Sequence, residues 1–98
     1  MEKFRGTPGP WEWWTSNSFL RLSSKATGKD GDVIDSFKMS DGQTSLSVKV
    51  DDMHLIAAAP DLLEALQELA FLYEHDEGCR NLNEYKRAKS AIAKALGK

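Results

Sequence analysis

Asp51-Asp52-Met53-His54-Leu55-Ile56-Ala57-Ala58-Ala59-Pro60-Asp61-Leu62-Leu63-Glu64-Ala65-Leu66 is the stretch at which the chain changes character. Before it, Ser, Thr, Gly, Trp, Phe and Val dominate. From it onward Ala, Leu, Glu and Lys do, the residues with the best intrinsic helix preference. The second half therefore reads as helical. Asp51 or Asp52 can cap a helix through Met53, His54, Leu55 and Ile56, which Pro60 should end or kink near Ala59. Pro60-Asp61 then suits the first turn of a second helix running to about His75. Its apolar stripe, Leu62, Leu66, Leu69 and Tyr73 widened by Leu63, Ala70 and Leu72, recurs at helical spacing, with Asp61, Glu64 and Glu68 on another face. Gly78 is a stop signal, and Asn81 or Asn83 can cap a third helix ending near Gly97. That helix carries the stripe Tyr85, Ala88, Ile92, Ala95 and Leu96.

Ahead of residue 51 the signals are those of strands. Trp11 to Thr15 and Ser18 to Ser24 are β-prone runs flanking Ser16-Asn17, a pair suited to a tight turn. Leu20 and Leu22 alternate with Arg21 and Ser23, the period of a half-buried strand. Ala26 to Gly31 is loop chemistry. Asp32 to Met39 sets Val33, Phe37 and Met39 on one face and Ser36 and Lys38 on the other, with Asp35 spoiling the apolar side. Ser40-Asp41-Gly42-Gln43 closes a hairpin onto Thr44 to Val50, where Leu46, Val48 and Val50 alternate with Ser45, Ser47 and Lys49. The expected fold class is α+β, a four-stranded antiparallel β-meander followed by two or three α-helices packed on one face. A single domain is expected over 1–98, with a flexible N-terminal arm over 1–10, the meander over 11–50 and the helical part over 51–97.

Ninety-eight residues, 41% hydrophobic and 29% charged, suit one modest core rather than a multidomain enzyme. The apolar run Leu55 to Ala59 is far shorter than the roughly 20 residues of a membrane-spanning helix. Met1 to Pro10 has no apolar segment of the kind that a secretory signal requires, and Cys79 has no second cysteine to pair with. Both features fit a cytoplasmic protein. A net charge of −2 argues against a protein that coats nucleic acid. From Asp51 to Glu77 there are eight acids and no Lys or Arg, whereas Arg80 to Lys98 holds six bases against Glu84 alone. Two antiparallel helices would attract each other along such flanks, and an acidic face could equally meet a basic partner.

No catalytic, cofactor or metal motif is found. His75-x3-Cys79 supplies two ligands where a structural zinc site needs four, and Asp76 and Glu77 would raise the Cys79 pKa rather than lower it. Gly6-Thr7-Pro8-Gly9-Pro10 lacks the Lys-Ser/Thr pair and the N–H groups of a phosphate-binding loop. The candidates that remain are for binding. Trp11, Trp13 and Trp14 crowd one short strand, where they can anchor a small core or offer hot-spot rings to a protein. Asp61, Glu64 and Glu68 form the second candidate surface. A nucleic-acid platform built from Trp13 or Trp14 with Arg5, Arg21 and Lys25 is the weaker alternative, because the bases are scattered and Glu12 sits among the rings. The leucine stripe is expected in the core, with a homodimer across a two-fold axis as its other home.

Thr7-Pro8-Gly9-Pro10-Trp11-Glu12-Trp13, followed by the Leu55 to Leu66 segment Leu-Ile-Ala-Ala-Ala-Pro-Asp-Leu-Leu-Glu-Ala-Leu, resembles a widespread group of small bacteriophage and prophage proteins. The likeness covers both ends of the chain and is most specific in its second part. That group often carries Ala-Asp-Ala-Arg-Leu ahead of the helical core, and Asp51-Asp52-Met53-His54-Leu55 departs from it by losing the Arg. The resemblance implies a phage-encoded accessory protein made in the cytoplasm of a bacterial host, and supplies no activity. The function expected is non-enzymatic binding of a host or viral protein, with modulation of host defence, replication or transcription as its purpose.

Overall fold

The computed structural model describes residues 2–16, 19–36 and 46–98. Its elements run β1 (Trp11–Thr15), β2 (Leu20–Ser24), α1 (Val50–Glu74) and α2 (Asn83–Ala95). The chain divides into two compact units, Gly6–Pro60 on the one hand and Met1–Arg5 with Asp61–Lys98 on the other.

In the first unit β1 and β2 pair antiparallel, with Trp11 opposite Ser24, Trp13 opposite Leu22 and Thr15 opposite Leu20. This is the first expected hairpin, although Asn17 of its turn lies outside the described residues. The four-stranded meander is not formed: a two-stranded ribbon stands in its place. Beyond the ribbon, the described part of the Asp32 to Met39 run, residues 32–36, makes one bridge between Leu22 and Ile34, with the Leu20 N–H reaching the Ser36 carbonyl. The reason is local. The Asp32 carboxylate accepts the Ser24 N–H at 2.9 Å, so a side chain takes the donor that would have extended the ladder. Ser36, expected to face water, is buried and donates its hydroxyl to the Leu20 carbonyl at 2.6 Å, while Asp35 is exposed and pairs with Arg21. Phe37, Met39 and the Ser40-Asp41-Gly42-Gln43 turn lie outside the described residues.

The expected fourth strand fails for a different reason. Leu46 and Val48 are half-buried while Ser47 and Lys49 are exposed, so the alternation is real, but among the described residues the sheet consists of β1 and β2 and residues 46–49 form no strand of it. Val50 already opens α1, and the Lys49 carbonyl accepts the Met53 N–H at 2.9 Å. Asp51 and Asp52 fall inside the first turn rather than before it, where their charge still favours the helix N-terminus.

Pro60 neither ends α1 nor starts a second helix: a single helix of 25 residues runs through it. Pro60 is half-buried, and Gly9 lies so close that a Cβ there would come within 2.6 Å of the Pro60 Cβ. Packing against a glycine thus holds the proline inside the helix despite the N–H it lacks. The third expected helix is α2. Its N-cap position is Leu82, which makes no side-chain cap bond, so neither Asn81 nor Asn83 caps it. Gly97, at φ +82°, follows the C-cap residue Leu96.

The core of the first unit centres on β2. Leu22, Ser23 and Ser24 are fully buried, so this strand is covered on both faces and the outward position expected for Ser23 is wrong. Burying two serines costs little here because their hydroxyls are used. Ser23 Oγ accepts the Gly31 N–H, and Ser24 Oγ accepts the Ala26 N–H while donating to the Pro8 carbonyl. In the second unit, Ala70 and Tyr85 are the buried hydrophobic residues. Glu2 is tied there too, its carbonyl accepting from the Gln67 amide and its carboxylate from Lys98.

Candidate protein-binding surfaces

The three tryptophans all sit half-buried on β1, and each indole N–H is already committed. Trp11 donates to the Thr7 carbonyl at 3.1 Å, and Trp13 to the Met53 carbonyl of α1 at 2.7 Å. Trp14 donates to Glu12 Oε1 at 2.7 Å, two residues along the same strand face. Trp13 in particular fastens the ribbon to the opening of α1. The rings hold the first unit together more than they offer a patch to a partner.

The bases of the nucleic-acid alternative are engaged as well. Arg21 pairs with Asp35 at 2.6 Å and Asp30 at 3.4 Å while lying over the Phe19 ring, and Lys25 sits 3.4 Å from Glu12. The Trp14 indole, with Lys25 adding to it, holds the Glu12 carboxyl below its ordinary value. Acids thus neutralise two of the three cations this reading would use, and Arg5 is exposed.

Around Cys79 the geometry favours structure over chemistry. Burial, then the neighbouring Asp76 carboxylate, pushes the thiol above its ordinary value, so it stays protonated near neutral pH. His75 lies edge-on to Phe71, with ring centroids 4.4 Å apart. Among the described residues no group of three or more His, Cys, Asp and Glu side chains could hold a metal ion. Nor is any helix among them long and apolar enough to cross a membrane.

Most of the open apolar surface lies in the second unit, although Val50 and Leu55 of the first are 66% and 63% exposed as well. The stripe read as core divides in two. Leu63, Leu66 and Tyr73 are half-buried and Ala70 is buried, but Leu62 is 53%, Leu69 51% and Leu72 66% exposed. Leu62, Ala65, Leu69 and Leu72 follow one another at intervals of three, four and three, the spacing of a helix–helix seam. Asp61, Glu64 and Glu68 are exposed and border this seam, with Glu68 one turn from both Ala65 and Leu72. The expected attraction between the acids of α1 and the bases of α2 is not realised, because no ion pair joins the two helices. Sequence reading singled out the acids as a candidate surface and expected the leucines beside them in the core, with a homodimer as their other home. Their three-four-three spacing next to acids is the signal that separates them from Leu66 and Tyr73.

A family model described as Salmonella phage P22 protein Y8K6 matches residues 1–98, the whole chain. The chain belongs to this family. It is therefore a phage-type protein, and the family's description states no activity. No curated protein and no solved structure matches the chain. For a member of the P22 Y8K6 family, the acid-bordered leucine seam of α1 is the feature on which a functional reading can rest.

Proposed function

We propose that the chain is a non-enzymatic phage accessory protein that acts by binding protein, and that its docking surface is the leucine seam of α1 with its border of Asp61, Glu64 and Glu68. One observation carries this reading: Leu62, Leu69 and Leu72 are more than half exposed on one helix face, beside acids that form no ion pair among the described residues. Large aliphatic groups left in water at regular spacing are costly unless something covers them. The acidic border adds selectivity, favouring a partner that presents bases around an apolar strip. A host or viral protein engaged in defence, replication or transcription is the kind of target such an accessory protein serves.

The test is capture from phage-infected bacteria that also express an untagged copy of the chain. Tagged wild type should retain proteins, host, viral or the untagged copy, that the Glu64→Lys, Glu68→Lys variant loses. If both baits retain the same set, the seam is not the docking surface.

A further inference from the structure

Resting on that reading, we propose that the protein covering the seam is a second copy of this chain. The acid-bordered leucine face of α1 in each copy would meet a base-bordered alanine face of α2 in the other. The receiving face is visible on α2. Ala88, Ala91 and Ala95 recur at intervals of three and four, with Ala91 and Ala95 exposed and Ala88 half-buried. Arg87 and Lys94 lie one turn to either side of Ala91, both exposed and in no ion pair among the described residues. Leucines against alanines pack large into small, which lets two helices approach closely.

Three features single out a second copy among the proteins that might bind here. The leucine face and the alanine face open on the same side of the helix pair, since one groove of about 150 Å³ between α1 and α2 is lined by Leu69 together with Ala88. A single two-fold operation therefore brings both faces of one copy onto both faces of the other, a closed and self-complementary contact. Charge matches in the same operation: Asp61, Glu64 and Glu68 of one α1 come opposite Arg87 and Lys94 of the other α2, twice over. Finally, the helical unit has Ala70 and Tyr85 as its buried hydrophobic residues, a core too small for its length unless further apolar area is covered.

Charge reversal in trans tests this on the purified full-length chain, with mass read by sedimentation velocity and helix content by circular dichroism. Wild type should sediment at twice the monomer mass. The Glu64→Lys, Glu68→Lys variant sets bases against bases and should be a folded monomer. Arg87→Glu, Lys94→Glu sets acids against acids and should behave likewise. Mixing the two variants restores both contacts, and the mixture should recover the dimer. A monomeric wild type overturns the proposal, as does a dimer that survives in either variant or a mixture that stays monomeric. If wild type is monomeric while capture from infected cells still depends on Glu64 and Glu68, the second copy is wrong but the protein-binding seam stands. If it dimerises as described and capture retains only the untagged chain, the host or viral target is what fails.

Discussion

The ribbon unit and the helical unit solve the same problem, too few residues for a large core, in opposite ways. Around β2 the chain buries polar groups and satisfies them. Ser23, Ser24 and Ser36 all lose their exposure to water, yet each hydroxyl is bonded, and among the described residues no buried side-chain polar atom lacks a partner. In the helical unit little polar is buried, and more aliphatic side chains are left in water, Leu62, Leu69 and Leu72 along one face against Val50 and Leu55 at the start of α1 in the ribbon unit. Directional bonds specify one arrangement without outside help, whereas an open leucine seam is complete only when something covers it. On the proposed reading the first unit is the scaffold and the second the interacting part.

The sharpest way to break this contrast is a leucine in each unit. Leu22→Ala removes a fully buried side chain from the centre of the ribbon and should cost about 2–5 kcal/mol in urea unfolding. Leu72→Ala, at a position 66% exposed, should change the stability of the isolated monomer by less than about 0.5 kcal/mol. Equal losses would mean that the two units do not differ as described. Next in size is Gly9→Ala, whose new methyl would stand 2.6 Å from the Pro60 Cβ, a rigid ring carbon that cannot swing away. An overpacking cost of about 1–3 kcal/mol is expected in the same unfolding assay. No loss at this site would show that Pro60 does not need the glycine beside it.

How much of this was legible in the sequence follows from which interactions are local. The Trp11 to Ser24 hairpin and the helical character of everything after residue 50 came from propensity and period, and both are present. The outer strands were misread because alternation reports which side chains are covered and not whether a partner strand exists. Leu46 to Lys49 keeps its alternating burial although it belongs to no strand among the described residues. Pro60 was misread because its tolerance depends on Gly9, 51 positions earlier, and no local rule sees that contact. At the candidate surface, the shared face of acids 61, 64 and 68 was readable from spacing. The exposure of Leu62, Leu69 and Leu72 was not, since a stripe at helical spacing looks alike whether the chain or another molecule covers it.

A smaller effect isolates the ribbon's serine network. Ser24→Ala deletes the acceptor for the Ala26 N–H and the donor to the Pro8 carbonyl, at 3.1 and 2.5 Å, inside a fully buried position. About 1–3 kcal/mol should be lost, the cost of groups left unpaired away from water. A neutral substitution would show that these bonds are replaced by solvent and that the ribbon is less closed than its burial implies.

The smallest effect is a change of slope with pH, and it tests whether the same network is electrostatically tuned. The Thr27 hydroxyl, and after it the Ser24 N–H, bond the Asp32 carboxylate and hold it below its ordinary value of 3.8. A carboxyl whose folded value is depressed adds stability that is fully present above the unfolded value and disappears as pH falls through the folded one. Wild type should therefore keep this contribution at pH 5 and lose it progressively below about pH 4. Asp32→Asn cannot ionise, so although it is less stable at neutral pH, its urea midpoint should fall less steeply than that of wild type through the acid range. Glu12, depressed mainly by the Trp14 indole, remains in both proteins, so the difference between the two slopes belongs to Asp32. Parallel slopes would mean that the Asp32 bonds position the loop without favouring its charge, and the ribbon's self-sufficiency would then rest on its neutral hydroxyl network alone.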